Sequence, residues 1–122
     1  MHGTLRWLLA LCILAPLAAC SHRDRALSSV DAAVRREVGA AAKAHIGYVY
    51  DSTGLLIDFE ATALRDTTQA TFERTARAAA AVAVRQIAWT ALDSVVVSAG
   101  QTLRPGVFRV LRARTFKATE FR

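Results

Sequence analysis

The chain has 122 residues, 53% of them hydrophobic and 21% charged, with six Gly and two Pro. That length holds one small domain, and the composition excludes a disordered or collagen-like chain. Lys and Arg exceed Asp and Glu by 16 to 10, a formal charge of +6, so the position of the surplus becomes the question.

Met1 to Trp7 carries one cation, Arg6, and precedes an apolar run from Leu8 to Leu17 broken only by Pro16. A run of about ten residues is roughly half of what a bilayer-spanning helix needs. It predicts the apolar region of an export signal. The run closes on Leu17-Ala18-Ala19-Cys20, which resembles the lipobox of bacterial lipoproteins. The resemblance implies a signal peptide over 1–19, cleavage before Cys20, and a diacylglyceryl group on the Cys20 thiol as the lipid attachment. In such proteins an Asp after the cysteine tends to retain the chain in the inner membrane. Ser21 stands there, which implies the periplasmic face of the outer membrane. Ordinary secretion, with a cut after Ser21, is the alternative. On either path Cys12 leaves with the leader, so the mature chain keeps at most one sulfur and forms no internal disulfide.

Residues 20–26 then read as a lipid-anchored tether, and 27–122 as a single α+β domain. The six residues Ser21 to Ala26, fully extended, reach about 20 Å, which holds the domain near the lipid surface. Arg23 and Arg25 would lie near headgroup phosphates, at about 1 kcal/mol each beside an anionic surface, or belong to a plain solvated tether.

Leu27, Val30, Val34, Val38 and Ala41 recur at helical spacing behind Ser28 and Asp31, which resemble a capping box, and predict a helix from about Ser29 to Ala44. His45 falls at its end. A hairpin is expected next: Tyr48-Val49-Tyr50, a polar turn from Asp51 to Gly54, and Leu55 to Ala61, where Leu55, Ile57 and Phe59 alternate with Leu56, Asp58 and Glu60. A second helix begins near Asp66 and Gln69. Phe72, Ala76, Ala79, Ala83 and Ile87 share one of its faces, and Glu73 with Arg77 offers an i,i+4 pair. Leu92 to Ala99 reads as a strand, Gln101 to Gly106 as a loop, and Val107 to about Lys117 as a last strand. The order predicts two helices packed on one face of a mostly antiparallel four-stranded sheet.

Candidate chemistry is thin. The mature chain has His22 in the tether and His45, and no ligand lies at i+3 or i+4 from His45, so no helical metal pair is expected. There is no Gly-x-Ser-x-Gly, P-loop or dinucleotide fingerprint. Asp58 and Glu60 are about 7 Å apart along one strand face, a spacing that acid/base chemistry or a cation could use and that any solvent-facing strand also offers. No catalytic residue, metal or cofactor is assigned.

Charge is more informative. Removing Arg6 with the leader leaves 15 basic against 10 acidic residues, and Cys20 to Leu103 balances at nine of each. The whole surplus therefore lies after Leu103, in Arg104, Arg109, Arg112, Arg114, Lys117 and Arg122 against Glu120, with Phe108, Phe116 and Phe121 interleaved. An exported, lipid-anchored chain does not meet nucleic acid, so none is expected as a partner. Two readings stay open: a surface made of Arg104, Arg109, Arg112, Arg114 and Lys117 that meets anionic headgroups or an acidic protein, and a charged edge strand that resists sheet-to-sheet aggregation. Arg112 and Arg114 share strand parity with Phe108, Val110 and Phe116, so either a bulge near Leu111 shifts the register or one sheet face is half apolar and half cationic. The function expected is a non-enzymatic, membrane-tethered interaction or adaptor module of the envelope. The alternative is a small-ligand or lipid-binding lipoprotein that uses the free sheet face.

Overall fold

The computed structural model describes residues 25–49, 52–87 and 89–122. The lipobox with Cys20, and His22 in the tether, lie outside them. Helix α1 covers 25–38 and is followed by strands β1 (Ala42–Val49) and β2 (Ser52–Phe59), a one-turn helix α2 (Thr62–Arg65), helix α3 (Gln69–Gln86), strands β3 (Ser94–Arg104) and β4 (Val107–Lys117), and a closing 3-10 turn (Ala118–Phe121). The sheet runs β1-β2-β3-β4. The outer pairs are antiparallel and the central pair β2/β3 is parallel, because α3 carries the chain back between them. The architecture is α+β, with the helices packed on one face of a mostly antiparallel sheet.

That face is the core. Leu55, Ile57 and Phe59 of β2 and Val95, Val97 and Ala99 of β3 are fully buried against Phe72, Ala76, Ala79, Ala80 and Ala83 of α3 and Val30 and Val34 of α1. Alanines let α3 approach the sheet closely, and Phe72 fills what they leave. Thr68 starts this helix, its hydroxyl accepting the Thr71 amide at 3.2 Å, so the start lies two residues beyond the predicted Asp66.

The first helix ends earlier than its spacing predicts. Gly39 takes φ +78° and donates its amide to the Arg35 carbonyl at 2.9 Å, a left-handed stop that only glycine adopts without strain. Ala42 to Ala44 and His45 consequently belong to β1, which begins well before Tyr48. Ser28 lies inside α1 and does not cap it, and Asp31 turns across to β1, where its Oδ1 accepts the Ala44 amide at 2.7 Å. Ser52 to Gly54 belong to β2 and pair with Val49 to Gly47; Tyr50 and Asp51, the rest of the predicted strand and turn, lie outside the described residues. The predicted loop Gln101–Gly106 shrinks to Pro105-Gly106, with Gly106 at φ +80°, and Gln101 to Arg104 extend β3.

The two ends of the sheet differ. β1 starts, β2 and β3 end, and β4 starts at one end, where the β3–β4 hairpin projects as an arm. α1 finishes beside the start of β1 and Asp31 reaches Ala44, so its 14 described residues, about 21 Å of helix, run back from the arm toward the opposite end. Ser29, Ala32, Arg35 and Arg36 share a surface depression with Gln86, the last residue of α3.

Burial raises the Asp31 carboxyl above its ordinary pKa, opposed by the Ala44 amide and by Lys43. The folded chain thus holds this proton to higher pH than the unfolded chain. The contribution is complete below the ordinary carboxylate pKa and is lost as pH rises through the folded value. Asp31→Asn keeps an acceptor oxygen and does not ionise, so it is expected to flatten that fall. Asp31→Ala leaves the Ala44 amide without its partner and is expected to cost about 1 kcal/mol. Urea unfolding of the three proteins across the acid range checks both outcomes.

Candidate functional site

The face of the sheet away from the helices carries no covering element among the described residues. Alternation places Lys43 and His45 of β1, Leu56 and Asp58 of β2, Val96, Ser98, Gly100 and Thr102 of β3, and Phe108, Ala113, Thr115 and Lys117 of β4 on it. Near the arm this face holds an open cleft of about 900 Å³, whose walls include Lys43, His45, Asp58, Glu60, Thr102 and Phe108. His45 and the Asp58/Glu60 pair, separate features in the sequence, therefore line one cleft.

Asp58 is the hub of that cleft. Its Oδ1 accepts the Ser98 hydroxyl at 3.0 Å and its Oδ2 lies 3.6 Å from His45 Nδ1, while Glu60 accepts the Thr102 hydroxyl. Ser98 is the one buried polar residue among those described, and this bond explains why it is tolerated. The serine donates to the carboxylate and not to the imidazole. The order is therefore Ser–Asp–His, which offers no base to a serine nucleophile. Among the described residues no group of three or more His, Cys, Asp and Glu is placed to hold a metal ion.

The basic segment is divided by the pleat. The register passes from Ala99↔Arg112 to Gly100↔Val110, so Leu111 is the extra residue of a bulge, one of the two outcomes the parity conflict left open. Beyond it Phe108 and Val110 lie on the open face and Arg109 on the helix side; before it Arg112, Arg114 and Phe116 lie on the helix side and Lys117 on the open face. Arg104 stands beside the Pro105-Gly106 turn. The five cations assigned to one surface are thus spread over two faces and a turn.

What the structure brings together is a different set. The Arg112 guanidinium sits 5.8 Å from the Phe72 ring centre, and Arg114 and Arg77 sit 5.5 and 5.1 Å from that of Phe116. Arg77 pairs with Glu120 at 3.8 Å in place of the expected Glu73. Arg74, Arg77, Arg114 and Phe116 border a groove of about 270 Å³ between α3 and β4. Arg74 and Arg77 were not in the sequence-derived set, although their i,i+3 spacing on α3 puts them on adjoining turns of one flank. Which strand that flank meets depends on the sheet order.

The arm is also apolar. Leu103, Val110 and Leu111 are 55%, 52% and 47% exposed, while the Phe108 ring folds across Gly100 on the cleft side. A Cβ on Gly100 would stand 2.1 Å from the Arg109 carbonyl oxygen and 2.9 Å from Phe108 Cζ. Gly100→Ala is therefore expected to displace the arm at its bulge, lowering stability by about 1–3 kcal/mol. Thermal unfolding, together with amide exchange at Arg109 and Val110, measures both effects.

Compared with protein-family models, with curated proteins and with solved structures, the chain matches none.

Proposed function

We propose that the protein is a non-enzymatic interaction module of the cell envelope, tethered to the periplasmic face of the outer membrane through lipid on Cys20, and that it binds an acidic protein partner through its basic, projecting β3–β4 side. One observation carries the choice of partner. The chain enters α1 at the end of the sheet opposite the arm. β3 has 11 residues, about 36 Å of strand, whereas electrostatic attraction is screened over about 8–10 Å at ordinary ionic strength. With the anchor at the entry end, Arg104 and Arg109 would stand several screening lengths from the headgroups, on the aqueous side where a protein partner is met, while Arg114 and Lys117 lie nearer the entry end.

The tether is tested by mass spectrometry of the membrane-extracted protein, which is expected to give an acylated Cys20 at the N-terminus, with Cys20→Ala unprocessed or released in soluble form. A mature chain starting elsewhere with a free N-terminus would overturn the anchor. The partner class is tested on the lipid-anchored protein in vesicles with and without anionic lipid. Equal amide exchange at Arg109 on the two is expected. Slower exchange on the anionic vesicles that is reversed toward 1 M salt, where the screening length falls to about 3 Å, would move the partner from protein to lipid headgroup.

The cleft of about 900 Å³ favours a second reading, a small-ligand binder on the free sheet face. Its polar groups flank Phe108, which supplies an apolar wall. Under that reading Phe108→Ala abolishes binding and Arg114→Glu leaves it intact, the reverse of the pattern the partner reading requires.

A further inference from the structure

The sheet has two edges, and the structure treats them differently. At β1 the outward Ala44 amide is taken by Asp31 of α1 at 2.7 Å. At β4 the Ala118 amide donates inward to the Asp93 carbonyl at 2.8 Å, whereas the Lys117 amide points away from β3 and is taken by the Glu120 side chain at 2.9 Å. Outward amides recur at every second residue of an antiparallel strand. Those of Thr115 and Ala113 therefore also point away from β3, and no acceptor meets them among the described residues. Along β4 from Arg112 to Lys117 the free edge presents cations on the helix side, where Arg112 and Arg114 are joined by Arg74 and Arg77 of α3. On the other side it presents Ala113 and Thr115, with Lys117 at its end.

We propose that β4 is a docking strand, to which an extended segment of the partner adds as a fifth strand with acidic side chains on the helix side and small apolar or hydroxyl side chains on the open side. The proposal rests on the acidic-partner reading above and names how that partner is held. Main-chain hydrogen bonds to the edge supply affinity, and alternate side chains supply specificity. Arg74, Arg77 and Arg114 line this groove with Glu73 as the one carboxylate among its described lining residues, Glu120 pairs with Arg77, and Arg112 lies over Phe72 beside it. A carboxylate arriving at every second residue meets that surplus. A second copy of this chain is the wrong occupant, because pairing β4 with itself sets arginines against arginines on the helix side. A lipid headgroup has no backbone to pair.

The test uses the full chain in mild detergent and two labelled ten-residue peptides of one composition. In one, Glu alternates with Val or Thr; in the other, the Glu residues form a single block. The alternating peptide is expected to bind at least about tenfold more tightly, and to slow amide exchange at Ala113 and Thr115. Ala113→Pro removes an outward donor at a strand edge, where proline is compatible with the fold, and is expected to weaken binding by about tenfold or more. R112E with R114E is expected to do the same. If Ala113→Pro does not fold, the alternating peptide N-methylated at every second residue, prepared in both phases, removes the same pairing from the partner's side. Equal affinity for the two peptides overturns strand addition and leaves an acidic partner held by charge alone. Undiminished binding of both N-methylated peptides does so as well. Failure of both peptides to bind at low salt, with or without binding of phosphatidylglycerol vesicles, overturns strand addition and the acidic-partner reading together.

Discussion

A mismatch of lengths governs this fold. β1 and β2 have eight residues each and α3 has 18, about 26 Å of strand beneath about 27 Å of helix, so helix and hairpin cover one another with little excess. β3 and β4 have 11 residues each, about 10 Å more. The excess has no helix above it. It becomes the arm, and the burial along β3 records the change, turning from buried at Val97 to Gly100 to exposed at Gln101 to Arg104. A bare two-stranded ribbon is marginally stable in water. Two local devices compensate: the Phe108 ring laid over Gly100, and the bulge at Leu111, which adds twist and turns the ribbon toward the cleft. The cleft is thus a product of the overhang, with Val107 and Phe108 from the arm facing Lys43, His45 and Asp58 from the body.

The same overhang leaves the helix side of β4 half covered, and arginine suits that place. A guanidinium can lie over an aromatic face and still keep donors at its rim, which lysine cannot do as well. Arg77 and Arg114 both lie within 6 Å of the Phe116 ring centre, and Phe121 meets Phe116 edge-on at 5.6 Å. The rings cover the exposed margin of the core and hold like charges close together, with Glu120 offsetting part of their repulsion. Exposed pairs of this kind contribute little to stability, so their concentration on one strand speaks to recognition or to protection of the edge more than to folding.

Much of the scaffold was legible because burial on one face writes a period into the chain. Leu55, Ile57 and Phe59 alternate, Phe72, Ala76, Ala79 and Ala83 step at helical spacing, and the fold class followed from their order. The bulge at Leu111 was legible too, as one of two ways to reconcile Arg112 and Arg114 with Phe108 and Val110. The errors have physical causes. Ala40 to Ala44 favour helix by local propensity, but Gly39 breaks the helix and β1 takes the chain from Ala42, which moved His45 onto a strand beside Asp58. Gln101 to Arg104 looked like a loop because all four stay exposed, so no alternation marks them as strand. The arginine groove was hidden for another reason: α3 meets β4 only through the three-dimensional order of the sheet, and no spacing within either segment announces that Arg74 and Arg77 will join Arg114.

An edge strand is a hazard unless it is covered or charged, and the two edges of this sheet take the two solutions separately. β1 is covered at one point: Asp31 of α1 accepts the outward Ala44 amide at the cost of partial burial of its carboxyl. β4 is charged, and no element of the described chain lies along its free side. Cations on an open edge repel further copies of that edge, yet they leave the backbone groups of Ala113 and Thr115 ready to pair. Protection by charge therefore differs from protection by covering in one respect. It yields to a strand of opposite charge, so the feature that guards β4 against its own kind also sets the chemistry of the segment that can join it.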